Sequence, residues 1–201
     1  DVAVTGVQTC ALPILRSLNT NVWWRGAVED RDLRDDVGTS GVSVRKSVQA
    51  ATLDVYGDLS DDLGGGAYST WRAGTTIGRL SIDSPDALAI DQAGPGANGR
   101  YQKVELGATR LQALTPHTSL FASVNAQWAG KNLDSSEKLS LGGINGVRAY
   151  PQGEAVGDSG WLASVELRQD LTAGLQGALF YDHGHVRHNR DAFATGSNEQ
   201  T

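Results

Sequence analysis

Several side-chain groups in this chain have types and spacings that could do chemistry. Residues 182–191, DHGHVRHNRD, hold three of the four histidines, His183, His185 and His188. Alternate histidines on a strand can converge on zinc. Here they lack a cysteine pair, a fourth ligand cluster or an H-E-x-x-H helix, and the reading is a solvated external loop with no metal. Residues 157–160, GDSG, have the look of a serine-protease nucleophile, but no G-x-S-x-G turn or other protease context accompanies them. The glycines of 64–66 and of 94–99 (GPGANG) join no strand to a helix with GxxxxGK[ST] or GxGxxG spacing, so they read as turns and not as phosphate cradles. The acidic run at 29–36, EDRDLRDD, reads as a strand end and loop in solvent. No catalytic residue, cofactor or metal ligand follows from any of these groups.

The elements that position such groups are set by composition and period. The chain has 201 residues, with 17 Lys+Arg against 23 Asp+Glu and a formal charge of −6. An acidic chain is a poor nonspecific nucleic-acid binder. A single cysteine excludes a disulfide scaffold, and no apolar run is long enough for a transmembrane helix. Methionine is absent, which leads us to expect that the natural start lies upstream. Residues 4–14, VTGVQTCALPI, resemble the translation of a sequencing-adapter oligonucleotide and contain Cys10. On that reading residues 1–14 are non-native and residues 15–201 carry the fold.

The dominant period is two. In 161–171, Trp161, Ala163, Val165, Leu167 and Leu171 share one face, and Ser164, Glu166, Arg168 and Asp170 the other. In 119–128, Leu120, Ala122, Val124, Ala126 and Trp128 oppose Ser119, Ser123, Asn125 and Gln127, with Phe121 as an exception. Similar alternation runs through 51–59, 103–109 and 175–182, through 22–29 with Trp23 on the polar side, and more noisily through 67–80. This predicts about seven strands of roughly 10–15 residues, longer than ordinary globular strands. Connections alternate between short (60–65, 115–118, 172–174) and long (83–99, 130–160). Long strands with one apolar and one polar face, joined alternately by short and long loops, predict an all-β fold: part of an antiparallel transmembrane β-barrel. A soluble β-sandwich is the alternative from another class, with shorter strands. Trp71, Trp128 and Trp161 fit an interfacial girdle and equally an ordinary strand core. Helix signals are sparse; LDSSEKLS at 133–140 suggests only a capped turn.

Residues 140–168 read SLGGINGVRAYPQGEAVGDSGWLASVELR. The run Val147, Arg148, Ala149, Tyr150, Pro151, Gln152, Gly153, Glu154, Ala155 resembles the V-R-G-[YF] motif, continued as P-x-G-E-A, of the two-partner secretion transporters. These form the haemolysin and haemagglutinin secretion-activation family within the BamA-like barrel superfamily. A second family motif, F-x-D-x-G, stands as Phe180, Asp182 and Gly184. Ala149 replaces the usual Gly, and Ala is the more restricted of the two. The resemblance implies a bacterial outer-membrane protein that is not an enzyme. Its partners are a secreted exoprotein of haemolysin or adhesin type and the lipid bilayer, with no small-molecule substrate. The resemblance also implies that the loop of about 130–160 folds into the barrel lumen and sets Arg148 against Asp182. A barrel-assembly insertase of the same superfamily is the alternative, and PQGEA leans towards secretion. Seven strands leave two open edges, so residues 15–201 are not expected to insert alone.

Overall fold

The structure, a computed structural model, describes residues 2–16, 18–37, 42–143, 146–151, 153, 155–193 and 198–201. Among them lie the strands β1 (Val2–Arg16), β2 (Thr20–Val37), β3 (Val42–Asp61), β4 (Ala67–Ile82), β5 (Gly99–Thr115), β6 (Thr118–Ala129), β7 (Leu139–Ser140), β8 (Val156–Gly157), β9 (Ser159–Thr172), β10 (Leu175–Arg187) and β11 (Glu199–Gln200). One helix, α1 (Pro85–Ala93), sits between β4 and β5. A single antiparallel sheet runs in the order β1-β2-β3-β4-β5-β6-β9-β10-β11, and β7 and β8 form a small separate pair.

Two adjacent rows of the sheet show what makes it. One crosses the strands through Arg25, Asp54, Gly74, Glu105 and Gln127. The next, one residue along, passes through Trp24, Val55, Ala73, Leu106, Ala126 and Trp161. Successive side chains point to opposite faces of a pleated strand, so one face collects charge and the other collects hydrocarbon. The apolar face is uncovered: Ile77 is 62% exposed and Leu179 75%. Large uncovered apolar surface marks contact with a non-aqueous partner. With β2–β6, β9 and β10 running 12 to 20 residues, it is the lipid face of a transmembrane barrel wall.

The seven predicted strands correspond to β2–β6, β9 and β10, and the sheet is wider than predicted by β1 and the short β11. Residues 4–14, set apart in the sequence as non-native, lie in β1 in register with β2, Cys10 opposite Gly26. Three further expectations are corrected. The acidic run 29–36 is no loop, because β2 continues through it against β3, with Arg31 3.4 Å from Glu29. His183 and His185 belong to β10, since the alternation carries on through Val186, and only His188 follows the strand. The connection at 83–99 contains α1, with Ser84 at its N-cap and Pro85 opening it. Proline with its fixed φ is suited to a first helical turn.

At the end of the sheet that carries the long connections, the polar face becomes apolar and closed. Leu33, Val48, Leu80, Tyr101 and Ala129 pack there with Leu133 of the following loop. Gly78 lies opposite Tyr101 across β4 and β5, and a Cβ at Gly78 would run into the ring. Its missing side chain leaves the space that the ring occupies.

Candidate functional site

The connection from Gly130 to Asp158 does not extend away from the sheet but folds back over its polar face, held at two places. The first is its base. A 3-10 turn, Ser135–Glu137, is capped by the Asp134 carboxylate, which accepts from the Ser136 backbone N–H at 3.2 Å. Asp134 also takes the Lys46 ammonium of β3 at 2.6 Å. Glu137, 5% exposed, is bound by Arg31 of β2 and by Lys103 of β5 at 3.2 Å. Asp158, fully buried, accepts from the Leu133 and Arg190 backbone N–H groups at 3.0 and 2.8 Å and pairs with Lys138 at 3.0 Å. The Gly-Asp-Ser-Gly run is therefore structural: Ser159 Oγ accepts from the Ala129 N–H at 3.0 Å. Burial pushes the Asp134 carboxyl upward, but the Lys46 hydrogen bond and charge outweigh it and hold it below its usual range.

The second place is the tip. Arg148 Nε donates to Asp182 Oδ2 at 2.8 Å and Nη2 to Oδ1 at 3.0 Å, a forked pair. The Arg148 backbone N–H adds a third bond to Oδ2 at 3.1 Å. Nη1 donates to Glu166 at 2.9 Å and Nη2 to Ser164 Oγ at 3.2 Å, while Ser164 donates to Asp182 at 2.7 Å. The guanidinium carbon stands 3.5 Å from the Phe180 ring centroid. Arginine can satisfy this arrangement because its donors form a planar fork that also stacks on aromatic faces. The Asp182 hydrogen bond raises the Arg148 pKa above its already high ordinary value, so the guanidinium stays protonated at any biological pH.

The F-x-D-x-G spacing now has a geometric meaning. Phe180, Asp182 and Gly184 lie on the same face of β10. Phe180 supports the guanidinium, Asp182 grips it, and Gly184 leaves the space that Leu141 of the loop fills, where a Cβ would collide with Leu141 Cδ1. Leu141, Val147, Ala155, Leu162 and Val186 form a buried apolar cluster beside the ionic contact, with Tyr150 packed against it. The Tyr150 hydroxyl donates to the Thr201 carbonyl at 3.1 Å. Pro151 and Gly153 are exposed, Gly153 with φ 81°. Glu154 lies outside the described residues. Ala149 is exposed and does not adopt the left-handed φ that would require glycine, so the replacement is sterically tolerated. The neighbouring Ala155 is the residue that holds a positive φ, 38°.

The three tail histidines do not converge. His183 packs edge-on to Trp161, His185 Nδ1 lies 3.1 Å from Thr201 Oγ1, and His188 Nδ1 lies 2.8 Å from the Val156 carbonyl. Sequence reasoning missed the base anchors Lys46, Asp134, Glu137 and Asp158, and the Ser164 and Glu166 partners of Arg148. The D-S-S-E run at 134–137 was the available signal for the capped turn, but its ionic partners lie on strands tens of residues distant.

The sequence profile of haemolysin secretion/activation proteins (ShlB/FhaC/HecB) matches residues 40–196, which span both motifs and the strands between them. The chain belongs to this family. Its members are Gram-negative outer-membrane transporters, which agrees with a sheet whose apolar face is uncovered. Curated relatives include the heme/hemopexin transporter protein HuxB of Haemophilus influenzae strain 86-028NP, 23% identical over 184 residues, covering 90% of this chain and 32% of the relative. HuxB of strain Rd is 24% identical over 176 residues, covering 86% and 31%. The chain thus spans about a third of the length of these relatives. Among solved structures, CdiB from Escherichia coli aligns with a TM-score of 0.49 at 16% identity over 92% of this chain and 43% of that one. CdiB from Acinetobacter baumannii aligns with a TM-score of 0.46 at 12% identity over 96% and 42%.

Proposed function

We propose that this chain is part of a two-partner secretion transporter, which moves a large haemolysin- or adhesin-type exoprotein across the outer membrane. The observation that carries the reading is the convergence of two family motifs on one contact: Arg148 from the loop is stacked on Phe180 and forked onto Asp182. In this reading the loop lies in the barrel lumen and the ion pair sets where its tip stands. The chemistry is positional and not covalent. No nucleotide drives transport in the outer membrane, so the exoprotein's folding outside draws it through. The partners are that exoprotein and the lipid bilayer; residues 1–14 stand apart as non-native.

The test is Arg148→Ala in the full-length transporter. We expect a barrel that still inserts and shifts in heat-modifiability gels, with little exoprotein in the medium. Normal secretion from a well-inserted variant would refute the role of Arg148.

A further inference from the structure

The lipid face of the sheet changes character at the end that carries α1 and the long loop. Arg79 of β4 and Arg100 of β5 are direct cross-strand partners there. Both are exposed. Arg79 lies two residues beyond Ile77, the 62% exposed apolar residue of the same strand and face. Partners of this kind hold their Cβ atoms about 4.5–5.5 Å apart, and like charges so placed destabilise a sheet. On the polar face Arg25, Arg31, Arg72 and Arg148 each meet a carboxylate. Among the described residues, no hydrogen bond or ion pair engages the guanidinium groups of Arg79 or Arg100. The other side chains of their row add donors more than charge. Gln49 sits directly opposite Arg79 on β3, and Asp30 lies one strand further, with partners of its own. Gln102, two residues from Arg100, faces Ile77.

Two paired cations with amide neighbours, at the border of a hydrocarbon-facing band, sit where lipid headgroups meet a barrel. Long barrel connections face outward, so this border meets the outer leaflet. We propose that Arg79 and Arg100 form a binding site for the phosphate of an anionic lipid in the outer leaflet. Each guanidinium fork donates to two phosphate oxygens, and one anion between the two removes their mutual repulsion. This site stands on the membrane location of the sheet and not on secretion, so it is testable with no exoprotein present.

The experiment is native mass spectrometry of the full-length transporter in detergent, titrated with a diphosphorylated lipid A, with the same lipid dephosphorylated, and with inorganic phosphate. The diphosphorylated lipid is expected to be retained, and Arg79→Gln or Arg100→Gln to weaken retention about fivefold each and about 25-fold together, as for basic residues at an anionic membrane surface. Arg79→Lys with Arg100→Lys, which keeps the charge and loses the forks, is expected to fall between. Equal retention by the double Gln variant, or equal retention of the dephosphorylated lipid, would overturn the site. Displacement of the lipid by inorganic phosphate at equal concentration would overturn the assignment to a lipid.

Discussion

Arg148 lies over the ring of Phe180, 3.5 Å from its centroid, while its nitrogens fork onto Asp182 two residues further along the same strand. A single side chain thereby reads two positions of one motif. Substitutions that remove one partner separate their shares. Asp182→Asn removes the charge but keeps the shape, and is expected to cost the docked tip about 1–2 kcal/mol, in the lower part of the range for charged hydrogen bonds because Arg148 is 37% exposed. Phe180→Leu is expected to cost about 0.5–1 kcal/mol. Tryptic cleavage after Arg148 in the full-length protein measures both, and equal protection in Asp182→Asn and the parent would show that the fork does not hold the tip.

Gly184 and Leu141 offer a steric test that leaves every charge in place. Gly184→Ala puts a methyl group where Leu141 Cδ1 lies. Overpacking of this kind costs about 1–3 kcal/mol, and the loop, not the strand, is expected to yield. Leu141→Ala in the same chain should restore part of the protection of the tip. A Gly184→Ala variant with unchanged cleavage kinetics would remove Leu141 from the docking contact.

The base of the loop predicts differently because its charges are buried. Truncating Glu137 leaves Lys103, 11% exposed, without its carboxylate and Arg31, 17% exposed, with only Glu29 at 3.4 Å. Breaking one partner out of a buried ionic group costs about 3–5 kcal/mol, so Glu137→Ala should open the segment around Lys131 and Lys138 to trypsin while Arg148 stays protected. Glu137→Gln, close in shape, separates packing from charge: protection equal to that of the parent would mean that the carboxylate charge is not what holds the base.

Acid should loosen this base before it unfolds the barrel. The Asp134 carboxyl is held below its ordinary value of 3.8 by Lys46, against the opposing effect of burial. A depressed folded-state pKa contributes stability that is complete above the unfolded value and is lost as pH falls through the folded one. Hydrogen exchange at residues 131–138 is therefore expected to be flat from neutral pH down to about pH 5 and to rise below about pH 4, as the linkage requires. Asp134→Asn should flatten that profile while exchanging faster at neutral pH. An acid-induced rise of the same size in Asp134→Asn would place the titrating group elsewhere.

Ala149→Gly should change little. Ala149 takes no left-handed φ, and glycine at an exposed loop position lowers stability by no more than about 1 kcal/mol through the unfolded chain. Secretion and tip protection equal to those of the parent are expected; a marked gain in either would show that the Cβ obstructs the tip.

The sequence by itself determined the strands and their faces. Alternation is a local property: each residue's side is decided by its neighbour's, so the opposite faces of Arg25 and Trp24 could be read before any fold was known, while the rows that join them to other strands came with the register. Both motifs were equally legible, since each is a short run of residues. Charge patterning failed where pairing overrode it. The acidic run at 29–36 is strand because β3 continues beside it, and His183 and His185 stay in β10 because β9 pairs with them. α1 was missed because its nine residues carry no clear apolar stripe. Only the tertiary structure decided what the long connection does. Asp134 and Lys46 are separated by 88 positions, and Glu137 and Arg31 by 106. No periodicity links such residues; they meet because the sheet lays β2 to β5 side by side and the loop folds back across their polar face, where an unpaired buried charge is too costly to leave.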